Sequence, residues 1–125
     1  MVNYPIGDFL IQIKNASLVG KKQVTCTSTK FIKAVADTLK KEGVLSDVKK
    51  DGNQVTVVLA FHKKTPVLID LKIISKPGLR RYMSAEELEK VKGPSMFVVS
   101  TSKGVMSSKD AIKSNLGGEI IAQIW

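Results

Sequence analysis

Apolar residues in the first half of the chain change from helical spacing to strand-like alternation, which restricts the fold to a mixture of helices and strands. Residues 6–13 place apolar side chains at the i, i+3, i+4 and i+7 positions that form one buried helix face. Pro5 suits the first turn of that helix, Asn3 is a candidate cap, and the helix is predicted to end near Asn15. Residues 22–27 then alternate apolar with polar side chains, which predicts a strand.

A second helix and a β-hairpin complete the first half. Hydroxyl residues at 27–29 can cap a helix whose apolar side chains recur on one face over residues 31–39, and Gly43 is expected to end it. Residues 44–49 and 54–61 are predicted as two strands, because the Asp-Gly pair between them favours the positive backbone angles of a tight turn. The first half is therefore predicted as helix, strand, helix and hairpin.

The predicted boundary between two subdomains lies at residues 62–66, where charge and a proline interrupt the apolar pattern. We expect an N-terminal α/β subdomain over residues 1–66 and a β-rich C-terminal subdomain over residues 67–125. The fold class is predicted as α/β in the α+β sense, with two small subdomains packed tightly on shared apolar strands.

Strands and two short helices are predicted for the second half. Ser84 with Glu87, and Ser107 with Asp110, have the spacing at which a serine caps the first turn of a helix. The remaining patterns favour extended structure, and the strands are expected to be mostly antiparallel. The predicted extended segments are residues 67–74, 79–83, 96–100 and 119–125.

The chain carries 20 Lys and Arg residues against 11 Asp and Glu residues, a net charge of +9. Such a surface attracts polyanions, of which nucleic acids and anionic membrane faces are the common cellular examples. The longest stretch without Asp, Glu, Lys or Arg is residues 52–62, which is too short to cross a bilayer. The N-terminus lacks the pattern of a secretory signal and the single cysteine cannot form an internal disulfide, so a cytoplasmic location is expected.

Few residues could carry enzyme chemistry. The one histidine, His62, lies beside two lysines at a predicted strand end, where an exposed imidazole is expected rather than a catalytic base. Cys26 lies in an alternating strand and is expected to be a small core residue. Neither has a third partner at metal-ligand spacing. We therefore expect no enzyme activity, no cofactor and no metal.

Residues 100–108 form the most polar segment, with five hydroxyl side chains, one lysine and one glycine between a predicted strand and a predicted helix. Hydroxyls, free backbone amides near a helix N-terminus and Lys103 could together bind base edges, ribose hydroxyls and phosphates. The spacing of a Walker loop is missing. The alternative is an ordinary polar loop in which Ser107 caps the helix.

Residues 76–82 form the densest basic stretch that includes an aromatic side chain. Cations suit phosphates and a ring face suits an unstacked base or a ribose, so Lys76, Arg80 and Tyr82 are candidates for RNA contacts. The alternative is a solvated turn in which Tyr82 packs on the core.

Three blocks of this sequence resemble the bacterial small-subunit ribosomal protein eight family. They are Ser-Thr-Ser-Lys-Gly-Val-Met at 100–106 with Leu-Gly-Gly-Glu at 116–119, the basic block at 76–82, and the start of the first helix at 5–15. The blocks occur in the same order over almost the whole chain. The resemblance implies a structural component of the small ribosomal subunit, which binds the central domain of its RNA directly and early in assembly.

The resemblance also implies residue roles. In that family the Ser-Thr-Ser segment enters the minor-groove side of an irregular RNA helix and contacts a displaced base. The tyrosine of the basic block and the glutamate after the double glycine line the same RNA surface, and the start of the second helix meets a second RNA region. The RNA-binding residues so predicted are Ser100, Thr101, Ser102, Lys103, Gly104, Tyr82, Glu119, Lys76, Arg80, Ser28, Thr29 and Lys30.

The partners implied are small-subunit ribosomal RNA and neighbouring ribosomal proteins, with no membrane and no small-molecule substrate. Family members can also bind their own messenger RNA, which adds that RNA as a candidate. Two rival functions stand beside this interpretation. One is a small phosphate-ester enzyme that uses residues 100–108, and the other is a basic membrane-surface protein, for which a basic amphipathic helix rich in Trp or Leu is missing.

Overall fold

A computed structural model describes residues 4–91 and 93–125, within which it has four helices and ten strands. The helices are α1 (Pro5–Val19), α2 (Lys30–Lys41), α3 (Ala85–Lys90) and α4 (Ser108–Lys113). The strands are β1 (Gln23–Thr27), β2 (Leu45–Asp51), β3 (Gln54–Leu59), β4 (Phe61–His62), β5 (Thr65–Pro66), β6 (Leu71–Ile73), β7 (Tyr82–Met83), β8 (Met96–Thr101), β9 (Gly104–Ser107) and β10 (Gly118–Ile124). Each strand pair is antiparallel, and the predicted α/β class in its α+β form is confirmed.

Helix α1 begins at Pro5 as predicted but continues past its predicted end at Asn15. The predicted cap, Asn3, lies outside the described residues, and Tyr4 occupies the cap position without a side-chain hydrogen bond to the helix. The helix continues because Ala16 is also buried and extends the apolar face. It ends at Gly20, whose φ of 75° turns its N–H back to the last helical carbonyls.

The first sheet has the strand order β1–β3–β2, with α1 packed on β1 and α2 on β2. Thr29 caps α2, since its hydroxyl accepts from the Ile32 amide at 3.1 Å. The turn between β2 and β3 is shifted by one residue from the prediction. It consists of Gly52 and Asn53, because Asp51 already pairs in the ladder and Gly52 takes the positive φ of 61°.

The predicted boundary region folds into a short hairpin of β4 and β5. Lys63 and Lys64 form its turn with φ values of 50° and 68°, a backbone region that residues with a Cβ adopt at some cost. Both lysines are exposed. The break in the apolar pattern is therefore a tight turn that presents two cations to solvent.

The second sheet is built around β10. Strands β8 and then β9 extend it on one side, whereas β6 and β7 pair end to end with its other side. The predicted long strand over residues 67–74 is wrong, because the paired strand is only Leu71–Ile73. The amide of Val67 instead donates to the Ala60 carbonyl, since this segment crosses from the first sheet to the second.

The larger of two hydrophobic clusters joins the two halves of the chain. Its fully buried members include Phe9, Leu10, Val35 and Val55 from the first half and Leu71, Val98, Ile121 and Ala122 from the second. The smaller cluster, Leu88, Val99, Ala111 and Ile120, lies between the second sheet and the helices α3 and α4. The division into residues 1–66 and 67–125 stays a proposal: each sheet lies within one half, but the larger cluster belongs to both.

Candidate nucleic-acid interface

Residues 100–104, predicted to belong to a loop, form the tip of a β-hairpin instead. Thr101 pairs with Gly104 across β8 and β9, so the turn consists of Ser102 and Lys103, both exposed. The Thr101 hydroxyl donates to the Gly104 carbonyl at 2.7 Å and accepts from the Lys103 amide at 3.2 Å. The Thr101 side chain therefore bonds two backbone groups across the turn, and these hydrogen bonds stabilise the conformation of the tip without a ligand.

The hydroxyls of this segment divide into those used within the fold and those left for a ligand. Ser107 caps α4, and Ser108 accepts from the Phe97 amide at 3.1 Å. The Ser107 cap uses the Asp110 amide at the N-terminus of this helix, so that amide is not free for a ligand. Among the described residues, the hydroxyls of Ser100 and Ser102 form no hydrogen bond.

Three of the predicted residues lie in one row across neighbouring strands. Glu119 of β10 pairs with Tyr82 of β7 on one side and with Ser100 of β8 on the other. Residues paired directly across antiparallel strands point to the same face, with Cβ atoms about 5 Å apart. Tyr82 is 67% exposed, which excludes the alternative that its ring packs on the core.

The double glycine before Glu119 makes this row possible. A Cβ on Gly117 would lie 2.5 Å from the carbonyl oxygen of Met83, and a Cβ on Gly118 would overlap the carbonyl of Ser100. Strand β10 can approach both of its neighbours this closely only because neither residue has a side chain.

Arg80 joins the row through two contacts. Its Nη1 donates to Glu119 Oε2 at 3.1 Å, and its guanidinium lies 5.5 Å from the centroid of the Tyr4 ring. The hydrogen bond with Glu119 raises the pKa of Arg80, and burial raises the pKa of Tyr4 although the Arg80 charge acts against it. Arg80 is therefore a cation and Tyr4 a neutral donor at neutral pH. No sequence pattern indicated a role for Tyr4, because its partners are distant along the chain.

Lys76 flanks the row at the base of a tight turn. The backbones of Lys76 and Leu79 exchange hydrogen bonds of 2.9 Å around Pro77 and Gly78. Proline followed by a glycine with φ of 81° suits the two central positions of a type II turn. Lys76 is exposed and also lines a surface groove beside Trp125.

The predicted residues at the start of α2 lie apart from the row. The Thr29 hydroxyl is used as the helix cap, and the Ser28 hydroxyl is buried without a hydrogen-bond partner within the described residues. Helix α2 meets β9 at Thr38, which is about 13 Å further along the helix axis at 1.5 Å per residue. The structure thus separates residues 28–30 from the hairpin tip.

Comparison with known proteins decides the family. The family model described as ribosomal protein S8 matches residues 4–125. The chain belongs to the ribosomal protein S8 family. Proteins named small ribosomal subunit protein uS8 from Lactobacillus helveticus and Spiroplasma kunkelii are each 42% identical to this chain, over 97% and 96% of it and 96% of their own lengths. Another from Nitratidesulfovibrio vulgaris is 38% identical over the full length of both chains.

Membership of the S8 family confirms the family that the sequence blocks predicted. It also confirms the prediction of a structural, non-enzymatic ribosomal protein whose place is the ribosome. The rival interpretation of residues 100–108 as the site of a phosphate-ester enzyme loses its support, since an S8-family protein accounts for the same residues.

The other chemistry-bearing residues of this S8-family chain lie outside the row. His62 is exposed at the end of β4, and Cys26 packs half-buried against the core, where burial raises the pKa of its thiol. Within residues 4–91 and 93–125, no three His, Cys, Asp or Glu side chains group closely enough to hold a metal ion. Among those same residues, none of the helices has both the length and the hydropathy that a membrane span requires.

Proposed function

We propose that this S8-family chain is a structural component of the small ribosomal subunit that binds the central domain of its ribosomal RNA directly and helps to assemble it. The observation that carries the proposal is the row of Tyr82, Glu119 and Ser100, with the Ser102–Lys103 turn on the adjoining hairpin. We call this surface the RNA-binding face. It consists of Arg80, Tyr82, Ser100, Thr101, Ser102, Lys103, Gly104 and Glu119.

The RNA-binding face offers a different chemical group for each feature of an irregular RNA helix. The exposed Tyr82 ring can stack on a displaced base, and the Glu119 carboxylate can accept from a base amino group or a ribose hydroxyl. The hydroxyls of Ser100 and Ser102 can each donate and accept. The minor groove of A-form RNA is wide and shallow and displays the 2′-hydroxyls, so a narrow hairpin tip fits there.

Unpaired cations border the same face. Arg81, Lys76 and Lys103 are exposed and form no ion pair among the described residues, whereas Lys41 is held by Asp110 at 2.6 Å. Free cations attract phosphates whatever the sequence, while groups that touch bases and riboses give selectivity. We therefore assign affinity to the cations and selectivity to the row and the hairpin tip.

Residues 28–30 are proposed to meet a second RNA region. Lys30 is exposed, makes no ion pair within the described part of the chain, and lies at an α-helix N-terminus where phosphate is favoured. Its separation from the hairpin tip suits contact with a different RNA segment. Neighbouring ribosomal proteins are further proposed partners.

The chain's own messenger RNA is proposed as a second RNA ligand of the same face. Such a transcript would have to present a similarly irregular helix, because the RNA-binding face has one set of contacts to offer. Competition between the messenger segment and the ribosomal RNA helix for the purified protein tests this directly. Simultaneous binding of both RNAs would contradict a shared face.

The main test is binding of the purified protein to a short transcript of the central-domain helix and to a fully paired control of equal length, at several salt concentrations. Ser102→Leu is expected to reduce the preference for the irregular transcript about tenfold with little change in salt dependence, because it alters fit rather than charge. The matched variant is Lys63→Ala, at the tip of another two-residue turn. It is expected to weaken binding to both transcripts alike.

Two outcomes would overturn the proposed function. One is equal and steeply salt-dependent binding of the unaltered protein to both transcripts, which would leave only a cationic surface. The other is a Ser102→Leu protein that keeps the full preference, which would remove the hairpin tip from the interface.

A further inference from the structure

Tyr4 connects the first helix to the RNA-binding face. Its phenol donates to the Ser75 carbonyl at 2.8 Å, and its ring lies against the guanidinium of Arg80. Arg80 in turn donates to Glu119. Tyr4 is half-buried and lies outside the RNA-binding face. It therefore supports the Arg80–Glu119 ion pair, which is the only ion pair of that face among the described residues.

The ring can lie there because Gly7, in the next turn of α1, has no side chain. A Cβ on Gly7 would lie 2.5 Å from Tyr4 Cδ2 and 3.1 Å from Cε2, the first of which is closer than real contacts allow. Glycine inside a helix is unfavourable compared with alanine, so Gly7 is a poor choice for the helix alone. The space that it leaves is occupied by the Tyr4 ring.

The ring restrains how Arg80 presents its donors. A guanidinium has five N–H donors in a fixed plane, of which one binds Glu119 Oε2. The other carboxylate oxygen, Oε1, forms no hydrogen bond among the described residues and is available to a ligand. Groups held in one orientation before binding lose less conformational freedom when a partner binds.

We propose that Tyr4 is a positioning residue for RNA recognition, which sets the orientation of Arg80 and through it Glu119, and that Gly7 is the residue that permits it. This inference rests on the proposed function, since it assigns a role within the same RNA-binding face. Tyr4 itself is not required to touch RNA.

A spectroscopic test is available because the chain contains two arginines, Arg80 and Arg81. In protein labelled with ¹⁵N-arginine, the two side-chain Nε–H signals can be followed without crowding. The Arg80 signal is expected to show the ring-current shift of a group over an aromatic face. Tyr4→Leu is expected to abolish that shift, and Tyr4→Phe to keep it.

Binding of the irregular and fully paired transcripts then tests the consequence. Tyr4→Leu is expected to weaken binding of the irregular transcript about three- to tenfold, as loss of a cation–π contact and its orienting effect would do. Tyr4→Phe is expected to retain the preference. Ser17→Ala is the matched control, because the Ser17 hydroxyl also ties α1 to a carbonyl of the second half, that of Leu68, at 2.8 Å. Ser17→Ala should leave RNA preference unchanged.

Gly7→Ala provides a second route that does not remove the tyrosine. It is expected to displace the ring and to weaken binding of the irregular transcript by about the same factor as Tyr4→Leu. In a Tyr4→Ala background, the same Gly7→Ala change is expected to leave RNA binding unaltered and to raise Tm, since alanine favours the helix.

The outcomes separate this inference from the proposed function. If the unaltered protein does not prefer the irregular transcript, the proposed function fails. If it does prefer it, and folded Tyr4→Leu and Gly7→Ala proteins bind as well as the unaltered protein, the positioning role of Tyr4 is refuted. Equal losses for Tyr4→Leu and Ser17→Ala would also refute it, because attachment of α1 alone would then explain the effect.

Discussion

The hydroxyl of Thr101 illustrates how one residue can set the shape of a binding surface without being free to bind. It donates to Gly104 and accepts from Lys103, so both of its main capacities are used inside the turn. The family resemblance assigns the same RNA-binding role to Ser100, Thr101 and Ser102. In the structure, only the Thr101 hydroxyl of these three forms hydrogen bonds among the described residues. We infer that Thr101 holds the tip in place and that Ser100 and Ser102 are the hydroxyls offered to RNA.

Replacing Thr101 by valine tests this division of roles. Valine keeps the shape but removes both hydrogen bonds, so the free energy of unfolding should fall by about 1 kcal/mol and the preference for irregular RNA should decrease. Urea unfolding and transcript binding measure the two effects. Thr101→Ser retains the hydroxyl and is the control. Equal RNA preference in the valine and serine proteins would show that the two hydrogen bonds of the Thr101 hydroxyl do not matter for RNA recognition.

At the scale of elements, helix α2 is attached to the C-terminal half at its last turns. The Thr38 hydroxyl lies within hydrogen-bond distance of the carbonyls of Ala34 and Val105, at 3.0 Å and 3.2 Å. Further along, the Lys41 ammonium contacts the Asp110 carboxylate of α4. These contacts hold α2 against β9, which carries the hairpin tip, and against α4.

The Lys41–Asp110 contact predicts a dependence of stability on pH. The hydrogen bond from Lys41 lowers the pKa of Asp110 below its ordinary value of 3.8. A lowered folded-state pKa means that the contact stabilises the protein above pH 3.8 and that this contribution is lost as the pH falls through the folded value. The stability difference between the unaltered protein and Asp110→Asn should therefore be present at pH 7 and shrink in acid.

Urea unfolding at several pH values measures this difference. Asp51→Asn is the control, because Asp51 is an exposed hairpin carboxylate without an ion pair among the described residues. A stability difference for Asp110→Asn that stays constant from pH 7 to acid would contradict the assigned contact.

In the molecule as a whole, the two main sheets come from different halves of the same chain and share one hydrophobic core. Strand β6 places Leu71, 1% exposed, in the cluster that also holds Phe9 and Leu10 of α1. Burial of side chains from both halves against one another favours joint unfolding, because neither sheet keeps its apolar face covered alone. The row of Tyr82, Glu119 and Ser100, which we propose binds RNA, lies on the second sheet, and Tyr4 from the first half contacts Arg80 beside it.

Truncation of the shared core tests the coupling of the halves. Leu71→Ala should lower the free energy of unfolding by about 2–4 kcal/mol, as for other buried leucines. Circular dichroism and the fluorescence of the one tryptophan, Trp125, should report the same single transition. Leu88→Ala, in the smaller cluster, is the matched variant. Separate transitions for the two signals in either variant would show that the halves unfold independently.

The features predicted correctly from the sequence are local ones. The caps at Thr29, Ser84 and Ser107 are confirmed because each depends on a residue three positions away in the same turn. The helix faces and the hairpin of β2 and β3 follow from the spacing of apolar side chains in the same way. The family blocks are local motifs too, and the family they predicted is confirmed.

The predictions that were wrong concern where strands begin and end, which depends on the neighbouring strand in the sheet. Residues 67–74 are apolar enough for a long strand, but the strand paired in register with β10 is limited to Leu71–Ile73, and Val67 bonds to Ala60 of the first half instead. Residues 104–107 look like part of a polar loop until β8 supplies their hydrogen bonds. The ends of a strand depend on where its hydrogen bonds to a neighbouring strand begin and end. The sequence of the segment alone does not contain that information.

The fold class, the helix caps, the positive charge and the family could all be predicted from the amino-acid sequence, because spacing, composition and short motifs express them directly. The position of Glu119 between Tyr82 and Ser100 became evident only in the folded protein, since strand register depends on β10 meeting two strands that are distant in the chain. The tertiary structure alone placed Tyr4 beneath Arg80, in the space that Gly7 leaves. Contacts between distant segments form only when burial of a shared core brings those segments together.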